Sequence, residues 1–216
     1  MSGIVPGLTK PVSGTPLSTY TEGSIIKINE NGSPVEFYVA KHDYEAGLNG
    51  AGRTLVVRKD IHSDSKWNGT DINTYASSTV DVWLNGEYKN LLSSSIQEMI
   101  GTTKFYYTPG GNNNNVTTLE RSTFLLSFTE LGETQTYVNT EGTALTIAET
   151  LQIAYKDGVA TYQWTRSPYT QGSRYVMLLN ATGSSVSYGP AQIYGIRPIF
   201  TLPSTILVDK NGQVIE

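Results

Sequence analysis

The chain has 216 residues and a net charge of −4, with no cysteine, 14 Tyr, 21 Gly, 38% hydrophobic residues and 16% charged ones. That length fits one large domain, or one domain with an arm. The missing cysteines exclude disulfides, thiolate metal sites and cysteine nucleophiles, and without a basic run nucleic acid is not an expected partner.

Residues 1–22, "MSGIVPGLTKPVSGTPLSTYTE", are rich in Pro, Gly, Ser and Thr and lack periodicity. They read as an extended arm or linker, either a disordered leader or an arm that docks on a neighbouring subunit. No charged n-region or apolar h-region marks a signal peptide, so the expected route avoids general secretion. No stretch approaches 18 apolar residues, and no membrane span is expected. The folded part is predicted to begin at Gly23 and run to residue 216.

Ile26 and Ile28, then Val35, Phe37 and Val39, alternate around "NENGSP" and predict a hairpin. "RTLVVRKDI" reads as a buried strand. Helical spacing takes over in "NTYASSTVDVWLNGEYKNLLSSSIQEMIG". There Ser77 and Ser78 can cap, Val82 and Trp83 join Tyr88, Leu91 and Leu92 in an apolar face, and Gly86 is expected to split two short helices. "TTKFYYT" predicts a strand, "PGGNNNNVTT" an exposed loop, "RSTFLLSFTELGE" a strand and turn, and "TALTIAETLQIAYK" a helix ended by Asp157-Gly158. Strands follow over 160–166, 174–180, 184–188 and 193–201, and an Asn-Gly turn closes the tail. The expected fold class is α+β, with antiparallel sheets and two or three short helices.

Few residues suit catalysis. His42 and His62 lie 20 residues apart with no zinc-type spacing. "GSS" and "SSS" are not nucleophile elbows. Glu130 and Glu133 read as solvated turn residues, and "DKNG" as a turn rather than a calcium loop. The expectation is therefore no enzyme, no metal and no cofactor. The last third is different, because Tyr169, Tyr175, Tyr188 and Tyr194 stand among Ser, Gly, Asn and Thr. Tyrosine supplies rigid contact area, and its small polar neighbours supply adaptable hydrogen bonds. Tyr169, Arg174, Tyr175, Ser187 and Tyr188 are the expected ligand-binding face, with Tyr169 and Tyr188 the more exposed. Trp83, Trp164, Arg166 and Arg197 are expected as scaffold. Alternation puts Trp164 and Arg166 on one strand face, and an Arg there can fork onto carbonyls or a carboxylate.

The series "VDVWLNGEYKNLL", "TFLLSFTELG", "YQWTRSP" and "YGIRPIFTLPSTILVD" resembles a domain family of unknown function from gut-type bacteria and their prophages. The likeness runs from about Gly23 to Asp209. It departs at Thr165, where the family prefers Leu, and at Ile196 and Ile199, where it prefers Val and Ala. The resemblance implies a C-type-lectin-like fold, similar to the variable ligand-binding proteins of phage tails and to formylglycine-generating enzymes. The enzymatic relatives depend on cysteines, and Trp67-Asn68 is followed by Gly69 where calcium-binding lectins have Asp, so neither activity is implied. What the resemblance implies is a display scaffold with variable loops at 168–174 and 181–194.

The expected function is a non-enzymatic phage or prophage virion protein of the tail or capsid surface that binds a host cell-surface glycan or protein. Its other expected partners are virion subunits, through the arm, and further copies of itself in a homo-oligomer such as a trimer. A purely structural decoration or tail-assembly protein and a glycan-active enzyme are the alternatives.

Overall fold

The computed structural model describes residues 13–216. Residues 1–12 of the expected arm lie outside the described residues. From Thr15 the segment belongs to the fold: Thr15–Pro16 pairs antiparallel with Leu207–Val208, and the Leu17 side chain is fully buried.

Two five-stranded sheets carry the architecture. The first orders its strands Ile25–Glu30, Ser33–Lys41, Arg53–Arg58, Ile199–Pro203 and Thr123–Phe124. The expected hairpin opens it, with Ile26 opposite Phe37 and Ile28 opposite Val35. Asn31 and Gly32 both take positive φ (52° and 75°), the primed turn whose twist matches the flanking strands. The second sheet orders Ser185–Tyr188, Val176–Leu179, Gln163–Pro168, Ile193–Ile196 and Ser63–Lys66. Its Gln163–Pro168 and Ile193–Ile196 strands run parallel and its other pairs antiparallel.

Two of the chain's passages between the sheets are short corners, at 59–62 and at Arg197-Pro198. Arg197 ties both corners: its guanidinium donates to the Arg58 carbonyl (2.7 Å), the Lys59 carbonyl (2.7 Å) and the Leu151 carbonyl (2.9 Å). Burial pushes its pKa down to about 10, because carbonyls solvate the guanidinium with dipoles and not with a counter-charge. Pro198 suits the corner, since a strand there would require the amide hydrogen it lacks.

The α+β, C-type-lectin-like expectation is corrected here. The described chain is mostly β, with sixteen strands in five sheets and about 16% helix. Its longest helix is Ser94–Ile100, seven residues. The physical reason lies in how the helical-looking stretches end. Gly86 does not split a helix; it sits inside a π-helical turn, Leu84–Tyr88, and the break falls where Leu92 turns extended. "TALTIAETLQIAYK" is helical only over Ala148–Gln152. Its second half pairs instead, Ala154–Lys156 against Val159–Thr161, because Asp157 and Gly158 (φ 51° and 78°) form a hairpin turn. Short apolar runs are ambiguous between helix and strand, and partners settle them.

Between the sheets lies one core. Phe105 stacks on Phe124 (centroids 4.3 Å apart), and Phe37 packs on Phe200 at 5.4 Å. Inside this apolar shell sits a charged centre. Arg166, fully buried, donates to both oxygens of fully buried Glu130 (2.7 and 3.1 Å) and to the carbonyls of Leu125 (2.7 Å) and Tyr106 (3.0 Å). The Tyr44 hydroxyl and the Ser127 amide complete the Glu130 shell at 2.5 and 2.7 Å. Glu130, read from sequence as solvated, is thus a core residue; its "SFTEL" setting is polar but folds inward under Arg166. Glu141 is buried beside it, accepting from the Thr108 amide and the Ser167 hydroxyl, both at 2.5 Å. Burial pushes the Glu141 carboxyl up, and Arg166 offsets part of the shift. Burial by itself would lower the Arg166 pKa, but Glu130, Tyr44 and Glu141 outweigh it and hold the guanidinium above its ordinary value.

Candidate functional site

The second sheet positions the aromatic residues of the last third. Its hairpin is set by Asn180, whose Oδ1 accepts from the amides of Thr182 (2.9 Å) and Ser184 (3.0 Å), with Gly183 at φ 78° closing the turn. That register places Ser187 opposite Met177 and Tyr188 opposite Val176. Tyr194 stands opposite Ser65 on the far side of the sheet's centre. Tyr162 and Tyr194 stack at 5.0 Å and 22°, Tyr188 leans on Tyr194 at 5.2 Å, and Trp164 meets Tyr194 edge-on at 5.2 Å. Trp164 is buried and donates to the Ser65 carbonyl (3.1 Å), whereas the three tyrosines remain half-exposed. The result is a tyrosine platform floored by tryptophan. Burial, together with the neighbouring Tyr188 and Tyr162 hydroxyls, pushes the Tyr194 phenol up.

A second aromatic group forms at the loop 168–174. Tyr169 packs against Tyr137 (5.4 Å) and edge-on to Tyr175 (6.2 Å). The sequence expectation for exposure is reversed at one pair: Tyr175 is the exposed ring, at 49%, and Tyr169 is half-buried against the core. Arg174 is exposed and faces Asp71 (3.5 Å), a pairing worth about 0–1 kcal/mol in solvent. Thus the structure gathers Tyr188 with Tyr162, Trp164 and Tyr194, and Tyr169 with Tyr175 and Tyr137. Among the described residues no ring contact links the two groups.

What sequence reasoning missed is the loop 67–75 that holds both. The Asn73 amide donates to the Ser173 carbonyl (2.7 Å), and its side chain donates to the carbonyls of Tyr169, Gly172 and Tyr175 (3.1, 3.1 and 2.8 Å). Its Oδ1 accepts from the Gly111 amide (2.8 Å). Asn68 reaches the other loop through its amide to the Pro190 carbonyl (2.9 Å). Gly110 is required in this latch, since a Cβ there would lie 2.0 Å from the Asn73 carbonyl oxygen. The run "WNGTDIN", dense in Asn, Asp and Gly, was the available signal.

The remaining expected scaffold residues sit apart. Trp164 and Arg166 share no partner, because the strand's register shifts between Trp164 and Pro168 and sends the guanidinium to the charged centre. Trp83 packs on His62 (5.1 Å) and Tyr88 (5.5 Å), near the buried Glu30–Arg58 pair. Burial lowers the His62 pKa, with Glu30 opposing. His42 bridges Thr54 and the Tyr20 carbonyl (2.9 and 2.7 Å). Among the described residues no group of three His, Cys, Asp or Glu could hold a metal ion, and no helix is long and apolar enough to cross a membrane.

Residues 51–204 match a family described as Domain of unknown function (DUF6273). That span includes the platform, the loop 67–75, Glu130, Arg166 and Arg197, and leaves out the first hairpin. No curated protein matches, and no solved structure matches.

Proposed function

The chain belongs to the DUF6273 family of domains of unknown function, and we propose that it is a non-enzymatic recognition module that binds a cell-surface glycan through its tyrosine platform. The observation carrying this reading is the stack of half-exposed Tyr162, Tyr188 and Tyr194 rings over buried Trp164. Flat rings held on strands present apolar area to the C–H faces of sugars at little entropic cost, and their hydroxyls offer hydrogen bonds at the rim. Gln192 flanks the rings, where the Tyr194 hydroxyl already donates to its Oε1 (2.9 Å). The neutral surface and the net charge of −4 favour an uncharged polyol over a polyanion.

Sealing of Glu130 beneath Arg166 supports binding over hydrolysis, since a buried, ion-paired carboxylate reaches no glycosidic bond. The proposed setting is a phage or prophage virion surface, with the glycan on a host cell. The test is binding of the labelled chain to a glycan array and to a panel of bacterial cells, with Tyr188→Ala and Tyr194→Ala alongside. An anchor ring contributes about 1–3 kcal/mol, so either variant should bind roughly 5- to 150-fold more weakly while unfolding as cooperatively as the parent. Equal binding by both folded variants would remove the platform from the ligand's footprint.

A further inference from the structure

We propose that a cleft at Glu45, apart from the platform, binds a small molecule through an aliphatic ammonium group. The cleft has a volume of ≈ 390 Å³ and is lined by Glu45, Tyr106, Val116, Thr140, Gly142 and Thr143. That volume falls within the range of small-ligand sites, and the mix of an aromatic ring, an apolar side chain and a few polar groups is typical of them. Its one charged wall is Glu45. Oε1 of that carboxylate is shielded from solvent and has no hydrogen-bond partner among the described residues. An acceptor left bare in this way is destabilising, and more so when charged. Such a group is retained at a cost that a donor ligand would offset.

The backbone is committed to the same arrangement. Glu45 takes left-handed φ,ψ (46°, 51°) at the start of the helix Ala46–Asn49, a conformation costly for a residue with a Cβ. Gly142, also at positive φ (86°), keeps the opposite wall open, because a Cβ there would lie 3.0 Å from Glu45 Oε1 and 3.7 Å from Glu130 Oε1. Charge selects the ligand. Lys41, Glu130 and Arg166 act on Glu45 from neighbouring elements; Arg166 is taken up by Glu130, and Lys41 donates to Thr143 Oγ1 (2.9 Å) at the rim rather than to Glu45. One carboxylate therefore lacks a counter-charge. Burial raises its pKa, with Glu130 adding to the shift and Lys41 opposing it. A ligand ammonium would supply the missing counter-charge, with Tyr106 offering its ring to the cation.

The test uses butylammonium chloride, with butan-1-ol and sodium chloride as controls, titrated into the ¹⁵N-labelled chain at pH 7.5. Saturable amide shifts at Gly142 and Thr143 are expected for butylammonium alone. Glu45→Gln should weaken binding at least tenfold, Lys41→Met should tighten it several-fold by removing the competing cation, and Glu87→Gln, on an exposed side chain, should change nothing. Thermal melts would show that the variants are folded. Undiminished binding to Glu45→Gln, equal shifts from butan-1-ol, or no saturable shift in the parent would each overturn the proposal. Tyr188→Ala should leave amine binding intact, so this site and the platform stand or fall separately.

Discussion

Replacing Arg166 by Met should remove more stability than any other single change outside the glycines. The side chain is fully buried and makes four strong hydrogen bonds, two to Glu130 and two to carbonyls. Methionine reproduces the stem only as far as Nε, so the contact of the guanidinium carbon, 4.7 Å over the Phe105 ring, is lost as well. Loss of the charge leaves Glu130 with only the Tyr44 hydroxyl and the Ser127 amide, and strips the Leu125 and Tyr106 carbonyls of donors. Breaking a buried pair in this way costs about 3–5 kcal/mol, against a total stability of roughly 5–15 kcal/mol for a domain. At this size the melting temperature should fall by about 6–20 °C. Urea unfolding followed by tryptophan fluorescence measures the loss. The double variant Arg166→Met/Glu130→Gln should recover part of it, because the uncompensated carboxylate goes too. A single variant within about 1 kcal/mol of the parent, or strictly additive losses in the double one, would refute the reasoning.

Asn73→Ala should cost about 1–3 kcal/mol and release the loop 169–175, read as faster amide exchange at Tyr169 and Tyr175; unchanged exchange would deny the latch. Leu17→Ala, which empties a fully buried site next to the Pro16–Leu207 pairing, should cost about 2–5 kcal/mol by chemical denaturation; a negligible cost would mean that the segment adds nothing to the core. Because the folded carboxyl of Glu45 is raised above its ordinary 4.5, its contribution is intact below that pH and is lost as pH rises through the folded value. Glu45→Gln should therefore gain on the parent between pH 4.5 and 7.5, and a stability difference independent of pH would contradict the raised carboxyl.

The pattern of residues along the chain determined much of this protein before any packing was considered. Alternation around Asn31-Gly32 specified the first hairpin, because a primed turn and period-2 burial each demand it. The Tyr, Ser, Gly and Asn of the last third announced a surface of rings and small polar groups, whereas the strand expected over 193–201 breaks at Arg197-Pro198. Tertiary structure decided the rest. Whether "TALTIAETLQIAYK" became helix or hairpin depended on partners, and that choice turned an expected α+β chain into a mostly β one. The register shift after Trp164 sent Arg166 inward, where it makes a core residue of Glu130. The latch at Asn73 joins residues about a hundred positions apart, and the bare oxygen of Glu45 has room beside it only because distant Gly142 carries no Cβ. Local sequence encodes conformation and amphipathicity, which are short-range properties. Burial of a charge, or its lack of a partner, depends on which distant segments the fold brings beside it.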